Sequence, residues 1–532
     1  MIQVQNVTKA FAGKKLFEEV NTAFPPGRRY GLTGPNGAGK STFMKILSGE
    51  LEPDTGTISR PKRTSVLSQN QFAFEDWRVL DVVISGNKGL WDAMQEKDKL
   101  LAKADLTDED GGRLGELEGI IAEEDGYSAE AEAATMLEGL GIFDADHNRK
   151  MRELTGGDKV RALLAQALFG KPTALLLDEP TNSLDLDSIH WLEEFLDKYE
   201  GTLIVISHDR HFLNEICTHI ADIDYETIIT YPGNYDDMVR AKADVRVRME
   251  SENADKMKRR EQLQDFIARF SAGTRASQVQ SRKKQLEKLS LADMKKSNIA
   301  RPFIKFEQKR PSGKQTLTIE GLTKGFDGNK PLFKNFSMLI TKGEKVAIVG
   351  RNGVGKTTLL KTLLGELKPD AGKAVWGHEA QIGYMPQDVK PVIPVGTTCF
   401  DYLHDIDATA GNEQIRGLLG RMLFRGDEGM KPTKALSGGE AVRLMFCKLM
   451  LEQPNILVLD EPNNHLDLES ISALGEGLAN YPGTVLMVAH DRDLIAQTAT
   501  RIIAFHNGGV EDFAGDYETF LEKHGGKIEA IG

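Results

Sequence analysis

The chain has 532 residues, 40% of them apolar, with 67 Lys and Arg against 79 Asp and Glu for a net charge of -12. That length and apolar content suit three or four packed domains and exclude a disordered chain. Cys217, Cys399 and Cys447 lie far apart, which argues against a disulfide framework or a CxxC-type metal site and fits a reducing cytosol. The opening MIQVQNVTKAFAGKK lacks a secretory pattern, and no apolar run reaches the roughly 18 residues that span a bilayer, so a soluble protein is expected.

In chain order, a strand-like VQNVTKAF leads to a glycine-rich turn formed by Gly34, Pro35, Asn36, Gly37, Ala38, Gly39, Lys40, Ser41 and Thr42, with GxxxxGKS running from Gly34 to Ser41. Successive backbone N–H groups of such a turn can surround a β-phosphate, and the following helix points its positive end at it. Lys40 is expected to reach the β- and γ-phosphates and the Ser41 hydroxyl to hold Mg2+. Gln69, after an extended segment, is placed to touch the γ-phosphate region or Mg2+. Residues 88–125 are charged and helix-prone, with a break expected near Asp110-Gly111-Gly112. By itself such a stretch reads as a solvated helical hairpin decorating the domain.

At Thr155-Gly156-Gly157 a turn opens a helix. An apolar strand over Ala174–Leu177 follows and ends in Asp178-Glu179, at the carboxyl end of a buried strand, where open α/β sheets bind ligands. A further apolar strand, LIVISHDR, ends at His208, placed for a γ-phosphate. These parts then return. Leu436 to Ile471 repeats Leu154 to Ile189 without a gap, with 17 of 36 positions identical. The second copy has its own glycine turn, Gly350, Arg351, Asn352, Gly353, Val354, Gly355, Lys356, Thr357 and Thr358, and its own Gln387, Ser437-Gly438-Gly439, Asp460-Glu461 and His490. The chain is a tandem duplication, and two matched phosphate loops, each followed by a strand-end acidic pair, exclude chance.

Between the copies the charge reverses. Residues 240–310 hold 20 Lys and Arg against 9 Asp and Glu. Two helices, about 238–270 and 282–296, are expected to pair through Val245, Met249, Leu263, Phe266, Ile267, Leu286 and Leu289. Arg269, Arg275, Arg282, Lys283 and Lys284 are the candidate phosphate contacts of an RNA partner read by shape and backbone.

Together these motifs resemble the ATP-binding cassette superfamily: phosphate loop, glutamine loop, LSGGE-like signature, strand-end DEP, a D-loop at Ser183-Leu184-Asp185 and His465-Leu466-Asp467, and a histidine switch. Two cassettes in one chain with a charged linker resemble the ABC-F family of ribosome-associated translation factors, most closely its bacterial YbiT-like branch. The resemblance implies an α/β fold of two tandem cassettes, 1–238 and 311–532, joined by a helical hairpin linker at 239–310, with a small helical arm at about 88–125 that meets the ribosome. The acidic balance of the arm suggests a basic ribosomal protein as its partner.

The resemblance also implies two head-to-tail ATP sites. One combines Lys40, Ser41, Gln69, Asp178, Glu179 and His208 with Ser437-Gly438-Gly439. The other combines Lys356, Thr357, Gln387, Asp460, Glu461 and His490 with Thr155-Gly156-Gly157. Phe11 and Phe326 are the expected adenine-stacking rings. Asp178 and Asp460 are expected to hold Mg2+, while Glu179 and Glu461 act as general bases on water. Thr155 and Asp158 in the first signature, Ser183, and Asn463 in the second acidic motif depart from the family pattern, so unequal rates at two live sites are expected. The implied activity is ATP hydrolysis by a cytoplasmic monomer that binds the ribosome at the tRNA exit site and touches P-site tRNA. A drug-resistance factor of the same family, a transporter ATPase and a DNA-repair ATPase are the alternatives.

Overall fold

The computed structural model describes the whole chain except residues 12–13, 69, 71, 104, 183, 225–226, 246–300, 327–330, 507–508 and 525–532. Each half pairs a six-stranded sheet with a three-stranded antiparallel one. In the first half the large sheet runs Thr64–Val66, Ala174–Asp178, Thr202–Ile206, Arg29–Thr33, His219–Asp224, Thr227–Pro232, parallel except for the last strand. The second half repeats this order with Ile382–Met385, Ile456–Asp460, Thr484–Val488, Lys345–Val349, Arg501–His506 and Gly509–Phe513.

The central strands are continuous apolar runs because both sheet faces are covered. Side chains alternate between faces. Leu176 and Ile204 therefore join Phe17, Phe24, Tyr30 and Phe43 beneath the antiparallel sheet, while Leu175, Leu177, Leu203 and Val205 join Leu163, Leu164 and Leu192 on the other face. Each fully buried side chain of this kind contributes about 1.5–3 kcal/mol. The outcome is a rigid edge from which the strand ends project.

Within 88–125 the structure moves one feature. The helices are Lys88–Leu101 and Asp108–Glu123, so the first ends and the second begins ahead of the glycines, and Gly111 and Gly112 sit inside the second helix rather than in a break. Thr107 and Asp110 form a reciprocal capping box that starts the helix ahead of the glycines. An exposed helical glycine costs only about 1 kcal/mol against alanine, which the cap offsets. Arg113–Glu96 and Lys97–Glu118 bridge the two helices, and Leu90, Ala93, Leu117 and Ile121 anchor them to the first core.

At the edges of the linker, residues 235–245 are helical and Met238 lies in the first core, whereas Ile304 and Phe306 lie in the second. The candidate RNA contacts Arg269, Arg275, Arg282, Lys283 and Lys284, and the two expected linker helices beyond residue 245, fall outside the described residues.

Candidate functional site: two phosphate loops facing across the halves

Arg29–Thr33 and Lys345–Val349 run down the middle of their sheets and turn directly into the glycine loops. Gly34 and Gly350 both sit at φ 141°. A Cβ there would approach the carbonyl oxygens of Ile223 and Phe505 to 2.7 and 2.8 Å, so only glycine fits. The helices Lys40–Ser48 and Lys356–Leu363 then begin at Gly39 and Gly355, with no side-chain cap on either. Their first N–H groups are left for an anion.

Lys40 Nζ donates to the carbonyls of Gly34 at 2.7 Å and Pro35 at 3.4 Å. Lys356 Nζ donates to those of Gly350 at 2.7 Å and Arg351 at 2.9 Å. Burial lowers both ammonium pKa values, that of Lys356 to about 8. Each is a desolvated cation folded over its own loop, where a phosphate would relieve the cost of burial.

The acidic pairs stand at the ends of Ala174–Asp178 and Ile456–Asp460. Glu179 and Glu461 occupy left-handed backbone, φ 52° and 50°, held by their N–H groups donating to Ile206 O and Val488 O at 2.9 Å. This strain, about 1–2 kcal/mol for a residue with a side chain, turns the carboxylate out of the sheet. The two glutamates are then held differently. Glu179 accepts from the His208 backbone N–H at 3.2 Å, and its other oxygen lies 3.2 Å from His208 Nε2. Glu461 accepts from Gln387 at 3.0 Å and Asn464 at 2.7 Å, with His490 Nε2 at 3.9 Å.

Burial, and then the neighbouring Asp178 carboxylate, pushes Glu179 up to about 8. Burial also pushes His208 and His490 down to about 3, so both imidazoles are neutral at neutral pH. Thr357 donates to one Asp460 oxygen at 3.3 Å, while the other is buried without a partner, and burial raises this carboxyl to about 6. A hydroxyl beside an unpartnered carboxylate oxygen is a hard-oxygen donor set that fits Mg2+.

The Gly-Gly turns open helices as expected. Ser437 caps Gly438–Glu452 in a reciprocal box with Glu440. Thr155 caps Gly156–Leu168, and its hydroxyl is spent on Asp158 at 2.7 Å. Gly439 faces the other half: a Cβ there would lie 2.6 Å from His465 O and 3.6 Å from Asn36 Nδ2 of the first phosphate loop. A Cβ on Gly157 would meet nothing within 4 Å. Phe326 is half-exposed, with Lys324 Nζ 5.4 Å from its ring centroid. Phe11 closes the strand Ile2–Phe11, and its side chain lies outside the described residues, as do Gln69 and Ser183.

Several contacts between the halves have no warrant in the motifs. Asp185 caps Leu186–Asp197 by accepting from Ser188 N, and its second oxygen accepts from Asn352 N at 3.1 Å. Asp467 caps Leu468–Ala479 through Ser470 N and reaches Asn36 N at 3.4 Å. Arg351 donates to Asp187 at 2.7 Å, and Arg492 reaches Glu193 and His211. The DLDS and DLES strings advertise N-caps, but nothing in them announces a second acceptor bond to the facing loop.

Known proteins bear on this geometry. A family model described as ABC transporter matches residues 17–182 and 333–464, more than half of the chain, and a second of the same description matches 221–306. The chain is similar to the probable ATP-binding protein YbiT of Escherichia coli O157:H7, 48% identical over 99% of this chain and 100% of that protein. ABC transporter F family member 5 of Arabidopsis thaliana is 34% identical, over 98% of this chain and 77% of the relative. Among solved structures, the complex of the archaeal ribosome recycling factor aABCE1 with the ribosomal stalk protein aP1 matches 97% of this chain and 92% of that one, with a TM-score of 0.62 at 20% identity, a likeness of fold. Among the described residues no helix is long and apolar enough to cross a membrane.

Proposed function

The chain belongs to the ABC-F family of ATP-binding cassette proteins, and from that premise we propose that it is a cytoplasmic ATPase whose two composite sites switch its grip on the ribosome. The carrying observation is the pair of bonds from Asn36 N to Asp467 and from Asn352 N to Asp185. Each half touches the other at its phosphate loop, so a nucleotide seated there is a ligand of the closed arrangement. ATP can shift the open–closed equilibrium only by its differential affinity for the two states.

In each site the lysine, Lys40 or Lys356, takes the β- and γ-phosphates. Ser41 or Thr357 and Asp178 or Asp460 hold Mg2+, with Gln69 or Gln387 nearby. When bound, the ion neutralises charge on the phosphoryl oxygens. Glu461 orients water and accepts its proton. Glu179 does the same in its ionised form, the minor one at neutral pH with the carboxyl at about 8. The neutral His208 and His490 offer a ring nitrogen to the γ-phosphate. The unequal holding of the two glutamates supports unequal rates.

The finer reading is that ATP-driven closure sets the basic segment within 239–310 into the tRNA exit site, where it contacts P-site tRNA, while the arm meets a basic ribosomal protein. It is supported by the charge reversal between two acidic cassettes and by the fold shared with a ribosome recycling factor. The test is co-sedimentation of the Glu179→Gln/Glu461→Gln double variant with ribosomes. Retention with ATP and release with ADP is expected; equal behaviour with both nucleotides overturns the reading.

A further inference from the structure

Among the described residues, the helix at 235–245, from which the chain enters the linker, is tied to the first of the two phosphate loops. Lys242 Nζ forms ion pairs with Asp222 and, at 3.2 Å, with Asp224. Both aspartates are about 1% exposed and lie on the strand His219–Asp224, which pairs with the phosphate-loop strand Arg29–Thr33. Asp222 also accepts from the Thr33 hydroxyl at 3.1 Å, one residue before Gly34. A polar chain therefore runs from the linker root through a buried carboxylate to the start of the first phosphate loop.

The second half carries none of these residue types at the matching positions. The positions matching Thr33, Asp222, Asp224 and Lys242 are Val349, Ala504, His506 and His524. His524 turns instead to Glu511, at 3.2 Å, and to Phe520 O. These four positions lack the hydroxyl, carboxylates and lysine of which the tie is made. Buried carboxylates without a cation are costly, so Asp222, Asp224 and Lys242 form a set that persists only together.

The root helix also faces the other half. A cavity of about 240 Å³ beside Lys40 and His208 is walled by Tyr235, Val239 and Lys242 of this helix and by Leu468 and Glu469 of the second half. Arg351 pairs with Asp187 at the opposite site, whereas the matching positions here are Pro35 and Glu469, which leaves Glu469 facing the root helix. The root is thus seated where the first phosphate loop and the second half approach one another.

We propose that Lys242 is a positioning residue that couples the root of the linker to nucleotide at the Lys40 site and not at the Lys356 site. This rests on the reading of the linker as the moving effector, but its test needs no ribosome. Coupling is reciprocal: if nucleotide at the Lys40 site orders the root, breaking the root's tie weakens nucleotide there by the same factor.

The experiment measures fluorescent-ATP affinity in single-site proteins, with Lys356→Ala leaving the Lys40 site and Lys40→Ala leaving the other. Hydrogen exchange of residues 235–245 is followed in parallel. Lys242→Met is expected to weaken ATP at least 5-fold in the Lys356→Ala protein and less than 2-fold in the Lys40→Ala protein, with Lys242→Arg restoring the affinity. ATP should slow exchange at 235–245 only where the Lys40 site is intact. Should Lys242→Met fail to fold, Thr33→Val, which installs the residue of the second half, is expected to give the same site-selective loss in smaller measure. Equal losses at both sites, or exchange that responds equally to either site, overturn the proposal. A site-selective loss with no ATP-dependent ribosome retention upholds the joint and overturns only the ribosomal reading.

Discussion

The two phosphate loops share their glycine torsions to within about 6° and share their lysine and cross-half asparagine bonds, yet the contacts of their glutamates and of the residues flanking the loops differ. Gly34, Gly37 and Gly39 sit at φ 141°, 79° and 102°; Gly350, Gly353 and Gly355 at 141°, 81° and 108°. Around these matched cradles, Glu179 leans on a histidine and Glu461 on two amides. One loop is pinned across the halves by an arginine, while the other adjoins the signature glycine Gly439 and the linker root. The duplicated chain keeps the same backbone cradle in both halves and differs in the side chains set around each.

The largest expected effect breaks the comparison at its chemistry. Removing a general base costs about 10²–10⁴-fold, so Glu179→Gln and Glu461→Gln should each depress hydrolysis at their own site by that order, measured by single-turnover phosphate release. The two residual rates are expected to differ by about 3-fold or more, given the different holding of the two carboxylates. Equal residual rates would erase the functional asymmetry.

The next is a dependence on pH. Burial holds the Glu179 carboxyl at about 8, above the 4.5 of a free glutamate. Between those values the unfolded chain has released a proton that the folded chain keeps, so this group costs stability as pH rises from 4.5 and reaches its full penalty above about 8. Glu179→Gln should therefore leave stability unchanged near pH 4 and raise it by on the order of 2 kcal/mol at pH 8, after discounting for a side chain 18% exposed. Denaturant melts at the two pH values check the sign; a gain that shrinks as pH rises would refute it.

Smaller again are the caps that reach across. Asp185→Ala and Asp467→Ala each remove a helix cap, about 1 kcal/mol, and a bond to the facing loop. The bond from Asn352 is the shorter of the two, so Asp185→Ala should weaken ATP-dependent closure more, as read by small-angle scattering. Arg351→Ala is expected to cost less than about 1 kcal/mol, since its pair with Asp187 is partly exposed. Its effect should fade at high salt, which would separate a screened surface pair from a buried one.

Much of this was legible in the chain. The glycine turns, the strand-end acids and the Gly-Gly helix starts are contiguous strings whose local backbone demands can be met by few other residues. Composition misled at Gly111-Gly112, where a capping box four residues upstream carried the helix through the glycines. It was mute on Arg492 and Glu193, whose partnership depends on two helices from different halves meeting.

What the sequence determined by itself, then, is each half of each site: the cradle, the cation over it, the acid at the strand's end and the duplication that guarantees two of everything. Only the tertiary structure decided which residue faces which across the junction. Asn36 meets Asp467 at a sequence separation of 431 and Asn352 meets Asp185 at a separation of 167. Phosphate binding is written in consecutive backbone torsions, which neighbouring residues dictate. An ion pair or a second acceptor bond between distant elements depends on where two rigid bodies come to rest, and no local pattern encodes that.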